Sequence, residues 1–282
     1  MAPSNQRQLL AVAPQGNITK PVVDFLWHLL YRDEEYFDSG QGAMGLQQML
    51  GNMPQNGLRT ICSDGIAWEV AMHIRIDEDG KCELNSNNLQ ADRLVQVLVE
   101  FLQMRSRRQQ QETKSALMLG VLEAHNKIIS IPDPPPRHRL RRVQLHLNCH
   151  AFASRLFYNE VLTDDMLLVQ AMREAFEVTN PEANIHLTLV AVWSWLARCH
   201  NELVRRITTK ETTQRGSSAR YEVGELYYAQ GGRPRLDERR WNFWKARFLT
   251  LTDGHYEQTH QLRGCAENMH QFGAGSAPVT SS

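Results

Sequence analysis

No stretch of this 282-residue chain approaches the roughly 18 consecutive apolar residues of a membrane-spanning helix, so no span is expected. The formal net charge is zero, which removes any whole-chain electrostatic case for nucleic acid or an anionic membrane as partner. Cysteines are few and odd in number: Cys62, Cys82, Cys149, Cys199 and Cys265 are widely spaced, with no CxxC pair. That argues against a disulfide framework and against a zinc ribbon, and fits a reducing compartment. The N-terminus offers only the short apolar run LLAVA before Pro14, a poor secretory signal. A cytoplasmic protein is expected, with the nucleus as the alternative compartment and no secretion. The chain has no G-x-G-x-x-G, Walker A or G-x-S-x-G stretch, so nucleotide-dependent and serine-hydrolase chemistry have no motif support. Period-2 alternation is scarce, and no repeat occurs at a solenoid period.

What is present is helical patterning over an ordinary apolar fraction of 42%. Pro21 suits the first turn of a helix whose broad apolar face carries Val22, Val23, Phe25, Leu26, Leu29 and Leu30. Residues 39–57 predict a short helix between loops. Residues 61–74 fit either an alternating strand or a helix; the spacing by four of Ile66, Val70 and Ile74 favours helix. Residues 77–80, DEDG, read as a turn. The segment 88–104 is the clearest amphipathic helix, with Leu89, Leu94, Val97, Leu98, Phe101 and Leu102 on one side and Asp92, Arg93, Gln96 and Glu100 on the other. The polar run after it either continues as a solvated helix or frays, and residues 115–127 are helical again. Asp133-Pro134-Pro135-Pro136 cannot be helix interior and is the expected boundary between two helical parts, 19–131 and 137–251, flanked by tails 1–18 and 264–282. Beyond it, helices are expected over 145–162, over 164–178 with Asp164 or Thr163 as cap, and over 183–207. Residues 208–219 read as an exposed loop.

The most demanding segment is 234–251, PRLDERRWNFWKARFLTL. Trp241, Trp244 and Phe248 stand at i, i+3 and i+7 on one helical face, beside Phe243 and Leu251, and Asp237 is placed as N-cap. Rings of this size bury about 150–250 Å² each, so this helix is expected to lock others together. The fold class that follows is all-α, an irregular multi-helix bundle.

Two segments carry a family resemblance. Residues 146–177, HLNCHAFASRLFYNEVLTDDMLLVQAMREAFE, and 236–248, with Arg-Trp-x-Phe-Trp-Lys-x-Arg-Phe, resemble a family of fungal helical proteins known as a domain of unknown function. A weaker echo pairs residues 25–30 with Ala91 to Leu102, where an Ala-Asp-Arg-Leu helix begins. The resemblance implies a helical fold and no catalytic residue set. Some members lie near genes of fungal secondary metabolism, which implies a biosynthetic setting.

Four local patterns invite a chemical reading. His146, Cys149 and His150 fall within one turn, and the two histidines share a face at i, i+4, a spacing zinc accepts; with no evident third ligand, a helix-face pair is expected and no metal site is assigned. Glu160, Asp164 and Asp165 lack the Asp-Asp-x-x-Asp/Glu spacing of a magnesium motif and read as helix-capping acids. Asp77-x-Asp79-Gly80 lacks the glycine and glutamate positions of a calcium loop. Arg239, Arg240, Lys245 and Arg247 beside the tryptophans suggest a basic, aromatic surface, but a solvated face or pairing with carboxylates such as Glu174 and Glu177 is the expected role.

Charge is unevenly placed: residues 1–104 hold seven Lys/Arg against thirteen Asp/Glu, and residues 205–247 hold eleven against five. The expected function is therefore non-catalytic binding or interaction. The alternative is a cofactor-independent cyclase, isomerase or hydrolase acting on a hydrophobic metabolite, with His146, His150, Arg155, Tyr158, Arg173 and Glu174 as its polar groups. A protein or a hydrophobic small molecule is the expected partner class; no cofactor, nucleic acid or membrane is expected. Arg155 and Arg173, each in an otherwise apolar helix, are expected to contact Glu174, Glu177 or Glu202.

Overall fold

The computed structural model describes residues 19–30, 34–51, 57–59, 74–76, 82–84, 89–129, 136–179, 182–208 and 221–253. The expected tails, the turn at 77–80, most of the 208–219 loop and most of the ambiguous 61–74 segment lie outside these residues. Among the described residues the structure is all-α apart from one short antiparallel pair, and the chain divides into two compact units between Asp164 and Asp165.

In the first unit, α1 (Thr19–Leu30) buries Val22, Leu26, Leu29 and Leu30, one stripe at helical spacing. α2 (Ser39–Leu50) starts where the Asp38 carboxylate accepts the Gln41 N–H at 3.0 Å. It packs on α1 and on α3 (Leu89–Gln103) at Gly42, where a Cβ would stand 2.6 Å from Leu29 and 2.8 Å from Val97. α3 buries Leu94, Val97, Leu98 and Phe101, as its pattern requires; Leu89, expected on the same apolar face, is exposed at the helix start. The strands β1 (Ile74–Ile76) and β2 (Cys82–Leu84) pair with Ile74 opposite Leu84, and β1 lies against α5 (Pro136–Tyr158). Ile74, favoured as the end of a helix, instead opens a strand.

The polar run after α3 neither frays nor continues it. Met104 and Arg105 turn, and Ser106 starts a separate helix, α4 (Arg107–Ile129), with a reciprocal cap: its backbone N–H donates to Gln109 Oε1 at 3.1 Å, while the Gln109 N–H reaches Ser106 Oγ at 3.5 Å. α4 and α5, on either side of the Pro-rich stretch, pack on each other within the first unit, so the division of the chain falls about thirty residues later than the proline signal. α5 begins on Pro136 and ends earlier than the expected Leu162. Its end is a Schellman turn: Val161 N–H bonds Leu156 O at 2.8 Å and Glu160 N–H bonds Phe157 O at 3.0 Å, with Glu160 left-handed at φ 58°.

The second unit contains α6 (Met166–Phe176), α7 (Glu182–Thr208), α8 (Glu225–Ala229) and α9 (Glu238–Asp253), with α6, α7 and α9 in mutual contact. Asp165 stands at the N-cap of α6, not Asp164 or Thr163, and its side chain does not cap. Its buried carboxylate meets Arg206 and the Tyr221 hydroxyl, each at 3.4 Å. α9 keeps the expected cap, Asp237 Oδ1 accepting the Arg240 N–H at 2.9 Å. Trp244 and Phe248 are fully enclosed and Trp241 nearly so, and Phe248 meets Phe176 of α6 edge-on at 5.7 Å. Enclosing a ring like Phe248 stabilises by about 1.5–3 kcal/mol. Among the described residues no helix is long and apolar enough to cross a membrane.

Candidate functional site

Among the described residues, each unit holds a cluster of buried polar groups that is not visible as a linear motif. In the second unit the arrangement centres on Glu177, the C-cap of α6, where the negative end of the helix dipole makes a carboxylate unwelcome. Arg240, in the first turn of α9, supplies the compensating charge. Both side chains are fully buried. Arg240 Nε–H donates to Glu177 Oε1 at 2.6 Å and Nη2 donates to Oε2 at 3.0 Å, a two-pronged contact. The Trp244 indole N–H joins Oε1 at 2.6 Å, and the Gly224 backbone N–H joins Oε2 at 2.7 Å. The remaining Arg240 hydrogens go to the carbonyls of Glu222 at 2.8 Å, Tyr221 at 3.0 Å and Arg235 at 3.4 Å. All five guanidinium donors and all four carboxylate positions are thereby used. Gly224 is required by this closeness, since a Cβ there would collide with the Glu177 backbone carbonyl. The guanidinium also stacks 5.1 Å from the Trp244 ring centre.

In the first unit, α4 and α5 bring three imidazoles together. His125 belongs to the buried face of α4 with Leu117, Val121, Ala124 and Ile128, and His146 and His150 lie one turn apart on α5. Ring centres are 5.4 Å apart for His125 and His146, 5.1 Å for His125 and His150, and 4.6 Å for His146 and His150. His125 and His150 are fully buried and His146 partly so. One nitrogen from each ring lies within 4.8 Å of the others, so this group is able to hold a metal ion. Neither His125 ring nitrogen has a partner at hydrogen-bonding geometry, and both are buried. Burial pushes the His125 pKa down to about 4, with the neighbouring Asn126 acting the other way. Burial, followed by repulsion from His146 and His125, holds His150 well below the ordinary histidine range. Cys149, raised with the histidine pair from the sequence, is a buried thiol outside the group.

Arg155 is buried and donates through Nε to Asp92 of α3 at 2.8 Å. Arg173 reaches Glu222 at 3.4 Å. Both arginines therefore meet a carboxylate, Asp92 for Arg155 and Glu222 for Arg173. Glu177 is taken by Arg240, Glu202 is bound by its helix neighbours Arg205 and Arg206, and Glu174 accepts from Gln170 at 2.9 Å. Burial raises the Glu174 carboxyl pKa, against the pull of Gln170 and Arg173. Tyr158 projects into solvent, 62% exposed. Of the basic residues on α9, Arg239 donates to the Gln230 and Gly231 carbonyls, Arg240 is buried, and Lys245 and Arg247 are half-buried. The third imidazole beside His146 and His150 comes from a different helix. His125 is 21 residues earlier, and its signal was a histidine placed on an apolar stripe.

The Ala91-Asp92-Arg93 echo is also explained: Asp92 binds Arg155, and Arg93 donates to the Leu30 carbonyl at the end of α1 at 2.9 Å. The segments singled out by resemblance thus meet pairwise, Asp92 with Arg155 in one unit and Glu177 with Arg240 and Trp244 in the other. Residues 82–248, more than half of the chain, match the model of the family described as "Protein of unknown function (DUF3632)", and the chain belongs to that family. The matched range includes the histidine group and both ion pairs. No curated protein and no solved structure matches the chain.

Proposed function

We propose that this member of the family is a non-catalytic helical interaction protein, acting in a reducing, cytoplasmic compartment. The observation that carries the reading is the complete internal use of the Glu177–Arg240 pair, whose every donor and acceptor is committed within the unit. An enzyme for a hydrophobic metabolite needs convergent polar groups facing its substrate. Here the polar groups of the closing helices tie helix to helix. Exposed Arg233, Arg235 and Arg239, within a segment rich in cations, favour a protein partner with an acidic face. Buried thiols at Cys149 and Cys199, neither of them in a disulfide, suit the compartment, and burial pushes the Cys199 thiol up to about 12.

Native mass spectrometry of the protein purified gently from its own host tests the reading. A mass shifted by a bound protein, dissociating as salt rises, is the expected result. A stoichiometric organic metabolite, or conversion of one added to the preparation, would sink it in favour of the enzyme alternative.

A further inference from the structure

We propose that His125, His146 and His150 form a binding site for one divalent transition-metal ion of the zinc class, with water or a small anion in the fourth position. The proposal goes beyond the interaction reading and stands apart from it, because metal binding is measured by mass and spectroscopy whatever the chain's partners.

Geometry carries it first. Zinc–imidazole bonds of about 2.0–2.1 Å in a tetrahedron put ligand nitrogens about 3.3–3.4 Å apart. The three rings present one nitrogen each within 4.8 Å of the others, so closing the site asks for a shift of roughly 1–1.5 Å, reachable by imidazole rotation about χ2. Two ligands come from one face of α5 at the i, i+4 spacing that aims both rings at one point, and the third comes from the facing stripe of α4.

Burial carries it second. His125 is fully enclosed, and neither of its ring nitrogens has a partner at hydrogen-bonding geometry, an arrangement that leaves their desolvation poorly offset. The rings do pack edge to face as aromatic pairs, but such packing leaves those nitrogens unsatisfied. A metal bound at one His125 nitrogen removes part of the penalty and explains why a histidine stands where Leu117, Val121 and Ile128 set an apolar pattern.

Donor chemistry sets the class. Three nitrogen ligands without a carboxylate suit zinc, copper, nickel or cobalt and not calcium or magnesium, which demand oxygen. Three neutral ligands leave the ion's double charge uncompensated in a buried place, so hydroxide or another small anion is the favoured fourth ligand.

The test uses the full chain, stripped with a chelator and titrated with Zn²⁺ by calorimetry and with Co²⁺ by visible absorption. The expected result is one equivalent bound and the intense cobalt bands of tetrahedral coordination. His125→Gln and His150→Gln should each lose more than the roughly 10–100-fold in affinity that removal of an outer-shell partner costs. His260→Gln, a control in the C-terminal segment, should titrate like the parent. Failure to bind an equivalent, weak octahedral cobalt bands, or unchanged binding by H125Q would overturn the proposal, as would loss of binding in the control. Should H125Q not fold, the nitrogen hyperfine pattern of the Cu²⁺-loaded parent decides: three imidazole nitrogens support the site, and one or none refutes it.

Discussion

Glutamate 177 is the position where a change of one atom should do most harm. Glu177→Gln keeps the shape and removes the charge. The carboxylate accepts four hydrogen bonds, from Arg240 twice, from Trp244 and from Gly224. A carboxamide offers one oxygen and an NH2, so at most two of those donors keep an acceptor, and the NH2 is forced against the other two. The Arg240 guanidinium, with 0% of its side chain exposed, would lose its counter-charge where no water can replace it. Breaking a buried pair at one end costs about 3–5 kcal/mol, a large part of the 5–15 kcal/mol that holds an ordinary domain together. With a urea slope of about 2 kcal/mol/M, the midpoint should fall by about 1.5–2.5 M. Circular dichroism and tryptophan emission both report it, since Trp193, Trp195, Trp241 and Trp244 all belong to the second unit. A midpoint within about 0.5 M of the parent at unchanged slope would mean that the network contributes little, and the reasoning from complete burial would be wrong.

Three further outcomes follow from other positions. Gly224→Ala should cost about 1–3 kcal/mol, because its Cβ meets the Glu177 backbone and must push Gly224 N–H off the carboxylate; a stability equal to the parent's in urea would refute that close approach. Glu160→Gly should raise the urea midpoint, gaining about 0.5–1 kcal/mol by relieving a left-handed side chain at the end of α5, and a lowered midpoint would contradict it. Arg205, with Arg206, holds the Glu202 carboxyl at about 2 instead of 4.5, so the unfolded chain takes up this proton more readily than the folded one. The resulting stability is complete above about pH 4.5 and is lost as pH falls toward 2. Because the pair is partly exposed, Glu202→Gln should cost only about 0.5–1 kcal/mol at pH 6 and only a small part of that near pH 2.5; an equal gap at both pH values would rule out the charge as its cause.

How much of this was legible in the sequence depended on the reach of each interaction. α9 could be read almost whole, because its cap and its aromatic face repeat at spacings set by one helix: Asp237 caps, and Trp241, Trp244 and Phe248 are buried together. α3 was readable for the same reason. The start of α4 was missed although Ser106 and Gln109 form a standard reciprocal cap, since the surrounding arginines and glutamines hid the start signal inside a polar run. Pairings across elements were harder. Glu177 was rightly marked as a carboxylate available to the arginines of α9, yet nothing in the local pattern said that it would be wholly enclosed. Arg155 was expected to find an acid, and it did, but Asp92 lies 63 residues away on a helix whose docking only the fold reveals. His125 carried the strongest unused signal, a titratable ring on an apolar stripe.

The saturation of the Glu177–Arg240 contact also bears on how this chain can drift over generations. Every hydrogen at one end is matched to an oxygen, so neither residue can be exchanged first without passing through a form that has lost several kcal/mol. The two positions, 63 apart in the sequence, are therefore expected to change only together. An apolar pair of matched volume would be habitable once reached, but Trp244, Gly224 and three backbone carbonyls would each need a new partner at the same step. Lineages of this fold are therefore expected to vary freely around the contact while the contact itself stays where it is.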